Sequence, residues 1–220
     1  MRSTNAEEPH LSYAERRRGH LMARHEWETE RGHLRRVVTE AENSNEYVVR
    51  HKCFLSYAAA DIEQVSHFVE QYGATFIPRV VGVSEDDPFV DSDDDDYVLA
   101  QIQSRYLWDS TVTILLIGEC TWSRRFVDWE IYSTLRDGSV NRKNGLVAVQ
   151  LPSVDGATPS LPGRFADNYS YEGDSYARYY RYPQYEATLR TQIQAAFDSR
   201  STLDHLIDNS RLRRKVNSAC

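Results

Sequence analysis

The chain has 220 residues, of which 40% are hydrophobic and 27% charged, a composition typical of a folded globular protein. Its formal net charge of −7 argues against a general nucleic-acid-binding protein, because neutralising phosphates requires a basic surface. No apolar stretch approaches the length of a membrane-spanning helix, and the N-terminus has no apolar signal core. These features predict a soluble, cytoplasmic protein with neither nucleic acid nor membrane as a partner.

The three cysteines, Cys53, Cys120 and Cys220, lack paired spacing and are odd in number, which favours a reducing compartment. Cys53 lies in a predicted strand, and we expect it to be a small hydrophobic core residue. Cys220 is expected in a loose tail. Neither has a nearby His or second Cys that would indicate a metal site.

Residues 1–47 are predicted to form an amphipathic helical extension. Arg and Glu are abundant there, and Ala23, Trp27, Leu34 and Val38 fall on one helical stripe. Such a helix must bury its stripe against something. The pattern leaves open whether it docks on its own domain or on a neighbouring chain.

The next region, residues 48–165, alternates predicted strands with predicted helices. The strands are "HKCFLSY" (51–57), "ATFIPR" (74–79), "TVTILLIG" (111–118) and "GLVAVQL" (145–151). Pro78 indicates an edge position for the second strand, whereas the nearly continuous apolar run of the third indicates burial on both faces. Strands that alternate with helices predict an α/β fold with an open parallel sheet and flanking helices.

Residues 166–220 are predicted to form a tyrosine-rich segment and C-terminal helices that pack on this domain. Half of the fourteen tyrosines lie between Tyr169 and Tyr185, and "YEATLRTQIQAAFDSR" has helical spacing. The tyrosines could form a platform for adenine or RNA bases, or they could pack over the sheet edge or a partner surface. The net acidity favours packing.

Ligands of open parallel sheets bind beyond the carboxyl ends of the strands. The residues expected there are Ser56 and Tyr57 after the first strand and Gly118 to Thr121 after the third. The chain has neither G-x-G-x-x-G nor G-x-x-x-x-G-K-[ST], which excludes an ordinary Rossmann dehydrogenase and a P-loop NTPase.

The helix after the third predicted strand carries a carboxylate, Glu130, near its first turns. Val127, Ile131 and Leu135 define its core stripe, and Glu130 lies roughly 100° away, so that it flanks the core without being buried. Trp129 lies about 160° away and is expected on an exposed contact surface. The pattern alone leaves Glu130 either a solvated helix residue or a catalytic group.

The acidic stretch between Glu85 and Asp96 lacks the ligand spacing and the glycine of a calcium-binding loop. A solvated entry to the following helix is the favoured interpretation. We therefore expect no bound metal.

Residues from His51 to about Leu151 resemble the TIR-like domains of Thoeris anti-phage defence, a divergent branch of the Toll/interleukin-1 receptor fold. The resemblance covers roughly 100 to 120 residues and rests on motifs in order and at matching spacings. They are "HKCFLSYAAAD", "YLWDSTVTILLIGECT", "SRRFVDWEI", "GLVAVQLP" and "LPGRFADN". Relatives often carry His or Asp just after Ser-Tyr, where this chain has three alanines before Asp61, and this departure weakens the case for a role of that loop in substrate handling or sensing.

The resemblance implies a flavodoxin-like α/β domain that cleaves NAD at the nicotinamide–ribose bond, with Glu130 as the catalytic residue. NAD would be the substrate, and no other cofactor is expected. The product would be a cyclic or modified ADP-ribose that activates a separate effector protein. Other expected partners are a phage-derived trigger and a second copy of the chain in a homo-oligomer.

The residues agree with this chemistry. Nicotinamide leaves as a neutral molecule, so one carboxylate that stabilises an oxocarbenium-like ribose can suffice. Phe54, Ser56 and Tyr57 are expected to line the nucleotide site with Gly118 and Thr121, and Arg124 or Arg125 could pair with the diphosphate. The alternative is a non-catalytic interaction module that signals by assembly through exposed residues such as Trp129. A pure scaffold has no need of Glu130, Ser56 and Tyr57 together, which favours the enzyme.

Overall fold

The structure is a computed structural model that describes residues 13–43, 49–81, 95–102, 104, 107–138 and 142–220. Its strands are β1 (Lys52–Ser56), β2 (Ile77–Val80), β3 (Val112–Ile117), β4 (Gly145–Gln150) and β5 (Arg178–Tyr180). Its α-helices are α1 (Tyr13–Glu42), α2 (Ile62–Tyr72), α3 (Asp95–Ile102), α4 (Arg125–Thr134), α5 (Gly163–Ala166) and α6 (Glu186–Thr202).

The five strands form one sheet in the order β2-β1-β3-β4-β5, and every neighbouring pair is parallel. This is the order of flavodoxin-like sheets, with the strand order reversing between β1 and β3. The predicted fold class is confirmed. The edge position that Pro78 indicated is also confirmed, since β2 pairs only with β1.

Helices cover both faces of the sheet. On one face α1, α2 and α6 share a core with Cys53, Leu55, Ile114 and Leu116. On the other face α4 and α5 pack on Leu115 and Ile117. β3 and β4 are buried along their whole length because both faces are covered, which explains their nearly unbroken apolar sequences.

The C-terminal part of α1 docks on the chain's own domain. Leu34, Val37, Val38 and Ala41 are buried in the same core as α2. Arg50 ties the end of the helix to the sheet through a 2.8 Å hydrogen bond to the Ala41 carbonyl. The side chains of the other two residues predicted on the stripe, Ala23 and Trp27, lie outside the described part of the structure.

The tyrosine-rich segment adds β5 to the sheet, a strand that the sequence did not predict. The Tyr176 hydroxyl donates to the Asn144 carbonyl at 2.6 Å, and the Tyr179 hydroxyl donates to Gln150 at 3.1 Å. These two hydrogen bonds join the segment to the residue directly before β4 and to the residue at the end of β4. Tyr171 is exposed.

The last fourteen residues, 207–220, contain neither helix nor strand and lie along α4. We call them the C-terminal tail. Cys220 forms a disulfide with Cys120, so the expectation of a loose terminus is wrong. The two cysteines are 100 residues apart in sequence, so no local spacing indicates that they pair. Because two of the three cysteines form a disulfide, the odd cysteine count no longer argues for a reducing compartment. Cys53 is a buried free thiol, as predicted.

Within the described residues, no helix combines the length and the apolar character that crossing a membrane requires.

Candidate active site

Ser56 and Glu130 meet at the carboxyl end of β1. Ser56 is the last residue of β1, and Glu130 lies in the second turn of α4, which crosses the same face of the sheet. The Ser56 hydroxyl donates a hydrogen bond to Glu130 Oε2 at 2.6 Å. Both residues are buried, with the Ser56 side chain fully enclosed. Two predicted site residues therefore come together where an open parallel sheet binds its ligands.

Glu130 is more buried than its helical position suggested. Only 9% of its surface is exposed, so the prediction that it flanks the core without being buried is wrong. The reason is that α4 is covered on more than one side, and β1 lies beneath the carboxylate. Burial raises the pKa of Glu130 to about 8, and the hydrogen bond from Ser56 opposes that rise.

Tyr57 follows Ser56 and is partly buried against the core shared by α1 and α2. Burial raises the pKa of its hydroxyl, the negative charge of Glu130 adds to the rise, and Arg31 of α1 opposes it. The Tyr57 hydroxyl therefore lies close enough to Glu130 and to Arg31 to interact electrostatically with each of them. The structure brings Tyr57 to the Ser56–Glu130 pair.

Phe54 and Trp129 lie below the site and not on its surface. They form a small buried cluster with Ile102 and Leu107, and neither has exposed surface. The indole Nε1 of Trp129 donates to the Arg214 carbonyl at 2.8 Å. The prediction of an exposed contact surface at Trp129 is wrong, because α3 and the C-terminal tail cover the side of α4 that points away from the main core.

Gly118 and Thr121, at the carboxyl end of β3, form a network with Asp61 from the loop after β1. The Gly118 N–H donates to the Thr121 hydroxyl at 2.9 Å, and that hydroxyl donates to Asp61 Oδ2 at 3.3 Å. Burial raises the pKa of Asp61, while Thr121 and Arg124 oppose the rise. Thr121 is fully buried, and its hydrogen bonds join the loop after β3 to the loop after β1.

The two arginines that could pair with a diphosphate differ in what they contact. The Arg125 guanidinium donates to the Lys215 carbonyl at 3.3 Å and lies over the Trp129 ring. Its backbone N–H donates to Asn217 at 2.8 Å. Arg124, directly before α4, is partly exposed, and its guanidinium makes no hydrogen bond or ion pair with a described residue. Arg124 is therefore the arginine available to a ligand.

A buried ion pair supports α4 from the side that faces α5. Asp128, 6% exposed, accepts a 3.1 Å hydrogen bond from Nε of the fully buried Arg164 and a 2.8 Å bond from the Arg214 N–H. Arg164 also donates to Asn209 at 2.7 Å. These bonds fix the tail on α4, and through α4 they fix the position of Glu130.

The structure offers little that competes with this site. One cavity near the start of β4 is lined by Arg142, Lys143 and Arg200, but Lys143 already pairs with Asp137 and Asp204. No three His, Cys, Asp or Glu side chains of the described part come together as metal ligands. Most of the acidic stretch from residue 85 to residue 96 lies outside the described residues.

Asp61 is the site residue that the sequence did not identify. Its position directly before α2 is typical of a helix N-cap, a role that draws no attention to it. Gly118 was the available signal. A Cβ at that position would lie 2.3 Å from Asp61 Oδ2, so only glycine lets the carboxylate cross the strand end.

Residues 54–155 match the family model described as the TIR-like domain of the Thoeris protein ThsB. The matched segment runs from the middle of β1 to beyond the end of β4 and contains Ser56, Asp61, Gly118 and Glu130. No curated protein matches the chain.

Proposed function

We propose that residues 54–155, which match the Thoeris TIR-like family model, form a domain that cleaves NAD at the nicotinamide–ribose bond in anti-phage defence. The observation that carries the proposal is the buried Ser56–Glu130 pair at the carboxyl end of β1. A buried carboxylate at a ligand-binding edge costs free energy that a purely structural residue would avoid. Functional sites are where such groups are retained.

In the proposed reaction the bond between the ribose C1′ and the nicotinamide nitrogen breaks, and its electron pair leaves with neutral nicotinamide. Positive charge develops on the ribose, and the Glu130 carboxylate stabilises it. The cationic nicotinamide ring favours the ionised carboxyl when NAD binds, because an opposite charge within a few ångströms lowers the pKa of an acid. Ser56 holds the carboxylate from the strand side through its hydrogen bond.

Either of two nucleophiles completes the reaction. Water that attacks C1′ loses a proton and gives ADP-ribose, whereas a group on the same nucleotide gives a cyclic product. Glu130 is 9% exposed, and a site this enclosed restricts water, which favours attack from within the nucleotide. The released nucleotide would then activate a separate effector protein.

The test is NAD turnover by the purified protein, read as nicotinamide release and as the mass of the nucleotide product. Glu130→Gln keeps the shape of the side chain and removes its charge, and we expect it to lower turnover by about 10²–10³-fold or more. Glu172→Gln, at an exposed glutamate of the tyrosine-rich segment, is the matched control and should leave turnover unchanged. A product lighter than ADP-ribose by one water identifies a cyclase.

Equal turnover by Glu130→Gln and the unchanged protein would overturn the proposal. So would the absence of turnover by the unchanged protein in the presence of phage-infected lysate, which supplies the expected trigger. That second result would favour a module that signals by assembly.

A further inference from the structure

The connections after β1 and β3 diverge, which opens a crevice between these neighbouring strands. β1 continues into α2 on one face of the sheet, and β3 continues into α4 on the other face. Asp61 lies on the α2 side of the gap and Arg124 on the α4 side. A ligand in the crevice would therefore contact both connections at once.

The Asp61 carboxylate is turned toward this crevice and away from its own helix. Asp61 occupies the N-cap position of α2, but its side chain makes no capping hydrogen bond. Instead it crosses Gly118, where one oxygen accepts the hydrogen bond from Thr121. The other oxygen, Oδ1, accepts no hydrogen bond from any described residue. Asp61 is 7% exposed, so this oxygen has an unused acceptor at a nearly enclosed position.

Asp61 and Glu130 lie at different points along the crevice. Ser56, the partner of Glu130, pairs with Leu115 in the sheet register. Gly118, under Asp61, is three residues further along the chain, which corresponds to about 10 Å of strand. The two carboxylates would thus contact different parts of an extended ligand, with Arg124 on the opposite side of the gap.

We infer that Asp61 determines substrate specificity by accepting hydrogen bonds from the hydroxyls of the ribose that is farther from the cleaved bond. This inference rests on the proposed function, which puts the other ribose at Glu130. A carboxylate accepts two hydroxyl donors, but it repels a phosphate group at the same place. Acidic side chains at the carboxyl ends of parallel strands read ribose hydroxyls in this way in dinucleotide-binding folds. The site therefore selects NAD over NADP, which carries a phosphate on that ribose.

The test compares kcat/KM for NAD and NADP. Asp61→Asn keeps an oxygen that can accept from Thr121 and removes the negative charge, so we expect the NAD-to-NADP ratio to fall by at least about tenfold. Thr121→Ala is the matched control, because it loosens the same network and leaves the charge in place. Thr121→Ala should lower kcat/KM for NAD and for NADP alike and leave the ratio of the two unchanged. A ratio that Asp61→Asn does not change overturns the inference.

A binding measurement separates this inference from the proposed function. Calorimetric titration of Glu130→Gln with ADP-ribose and with 2′-phospho-ADP-ribose reads the preference without turnover, and we expect ADP-ribose to bind more tightly. Equal affinities overturn the role of Asp61, even if Asp61→Asn does not fold. Failure to bind either nucleotide, together with no NAD turnover, overturns the proposed function itself.

Discussion

Ser56 and Glu130 are 74 residues apart in sequence and are joined by a hydrogen bond of 2.6 Å, the donor on a strand and the acceptor on a helix. The environment of this pair determines the protonation state of the Glu130 carboxyl. Burial raises the pKa of Glu130 to about 8, and the Ser56 hydroxyl stabilises the ionised form against that rise. Near neutral pH the carboxyl is therefore mostly protonated in the folded protein, and it ionises as the pH rises through about 8.

Removing the Ser56 hydroxyl should raise the pKa of Glu130 further. A hydrogen bond to a charged group contributes about 1.5–3 kcal/mol, so we expect Ser56→Ala to shift the rising limb of the kcat/KM–pH profile upward by about one to two pH units. Activity would be low at pH 7 and would recover at high pH. Profiles of NAD cleavage between pH 6 and pH 9.5 measure the shift.

The control for this variant is Ser66→Ala, at a second fully buried serine whose hydroxyl bonds only the Ile62 carbonyl within α2. The kcat/KM–pH profile of Ser66→Ala should have its rising limb at the same pH as the profile of the unchanged protein. An equal loss for Ser56→Ala at every pH would mean that Ser56 acts on the substrate directly and not through Glu130.

The raised pKa of Glu130 also makes folding stability depend on pH. The folded-state value of about 8 lies above the ordinary 4.5, so the folded protein keeps a proton that the unfolded chain releases between those values. The stability that the protonated Glu130 carboxyl contributes is fully present below about pH 4.5 and is lost as the pH rises to about 8. Glu130→Gln does not ionise and avoids the loss.

We therefore expect Glu130→Gln to become more stable than the unchanged protein as the pH rises, by up to about 5 kcal/mol at pH 8.5. Denaturant unfolding at pH 5, 7 and 8.5 measures the difference in the free energy of unfolding. Two stability curves that run parallel across this range would show that Glu130 ionises normally in the folded state.

The disulfide predicts a response to reductant. Cys220→Ser should lower the free energy of unfolding by about 2–5 kcal/mol, since the bond constrains 100 residues of the unfolded chain. Dithiothreitol should destabilise the unchanged protein by the same amount and should not affect Cys220→Ser. Cys53→Ala is the control, because Cys53 is unpaired and its loss should leave the response to reductant intact. An unchanged protein that ignores reductant would contradict the pairing.

Gly118→Ala tests the close approach of Asp61 to the end of β3. The added methyl would lie 2.3 Å from the carboxylate, and we expect a loss of about 1–3 kcal/mol in stability together with reduced NAD cleavage. Gly32→Ala in α1 is the matched control, because a Cβ there meets no atom within 4 Å. That variant should gain up to about 1 kcal/mol from helix propensity. Thermal unfolding of both variants measures these effects. Equal melting temperatures for Gly118→Ala and Gly32→Ala would contradict the close contact between Gly118 and Asp61.

The sequence patterns predicted the elements that depend on one buried face or on full burial. β3 and β4 were evident as apolar runs, and the stripe of Val127, Ile131 and Leu135 identified the core face of α4, which the structure confirms. The helical-wheel argument failed for Trp129 because it assumes one core per helix. α4 has a second buried side, against Phe54 and the tail.

Features that depend on distant parts of the chain left no such signal. β5 is three residues long, and its tyrosines and arginine are typical of a surface loop. The Cys120–Cys220 pair has no local spacing to recognise. Asp61 acts away from its own helix, so helix capping rules describe its backbone position and miss its side chain.

The disulfide has a mechanical consequence. Residues 120–220 form a closed covalent ring that contains α4, β4, α5, β5 and α6. A chain pulled from its two ends in an optical trap would extend only as far as the segment before Cys120 allows, because force passes across the sulfur bridge and bypasses the ring. Reduction would release the enclosed segment and lengthen the stretched chain by roughly 340 Å. The part of the sheet formed by β4 and β5 would thus bear no load until the bridge is opened.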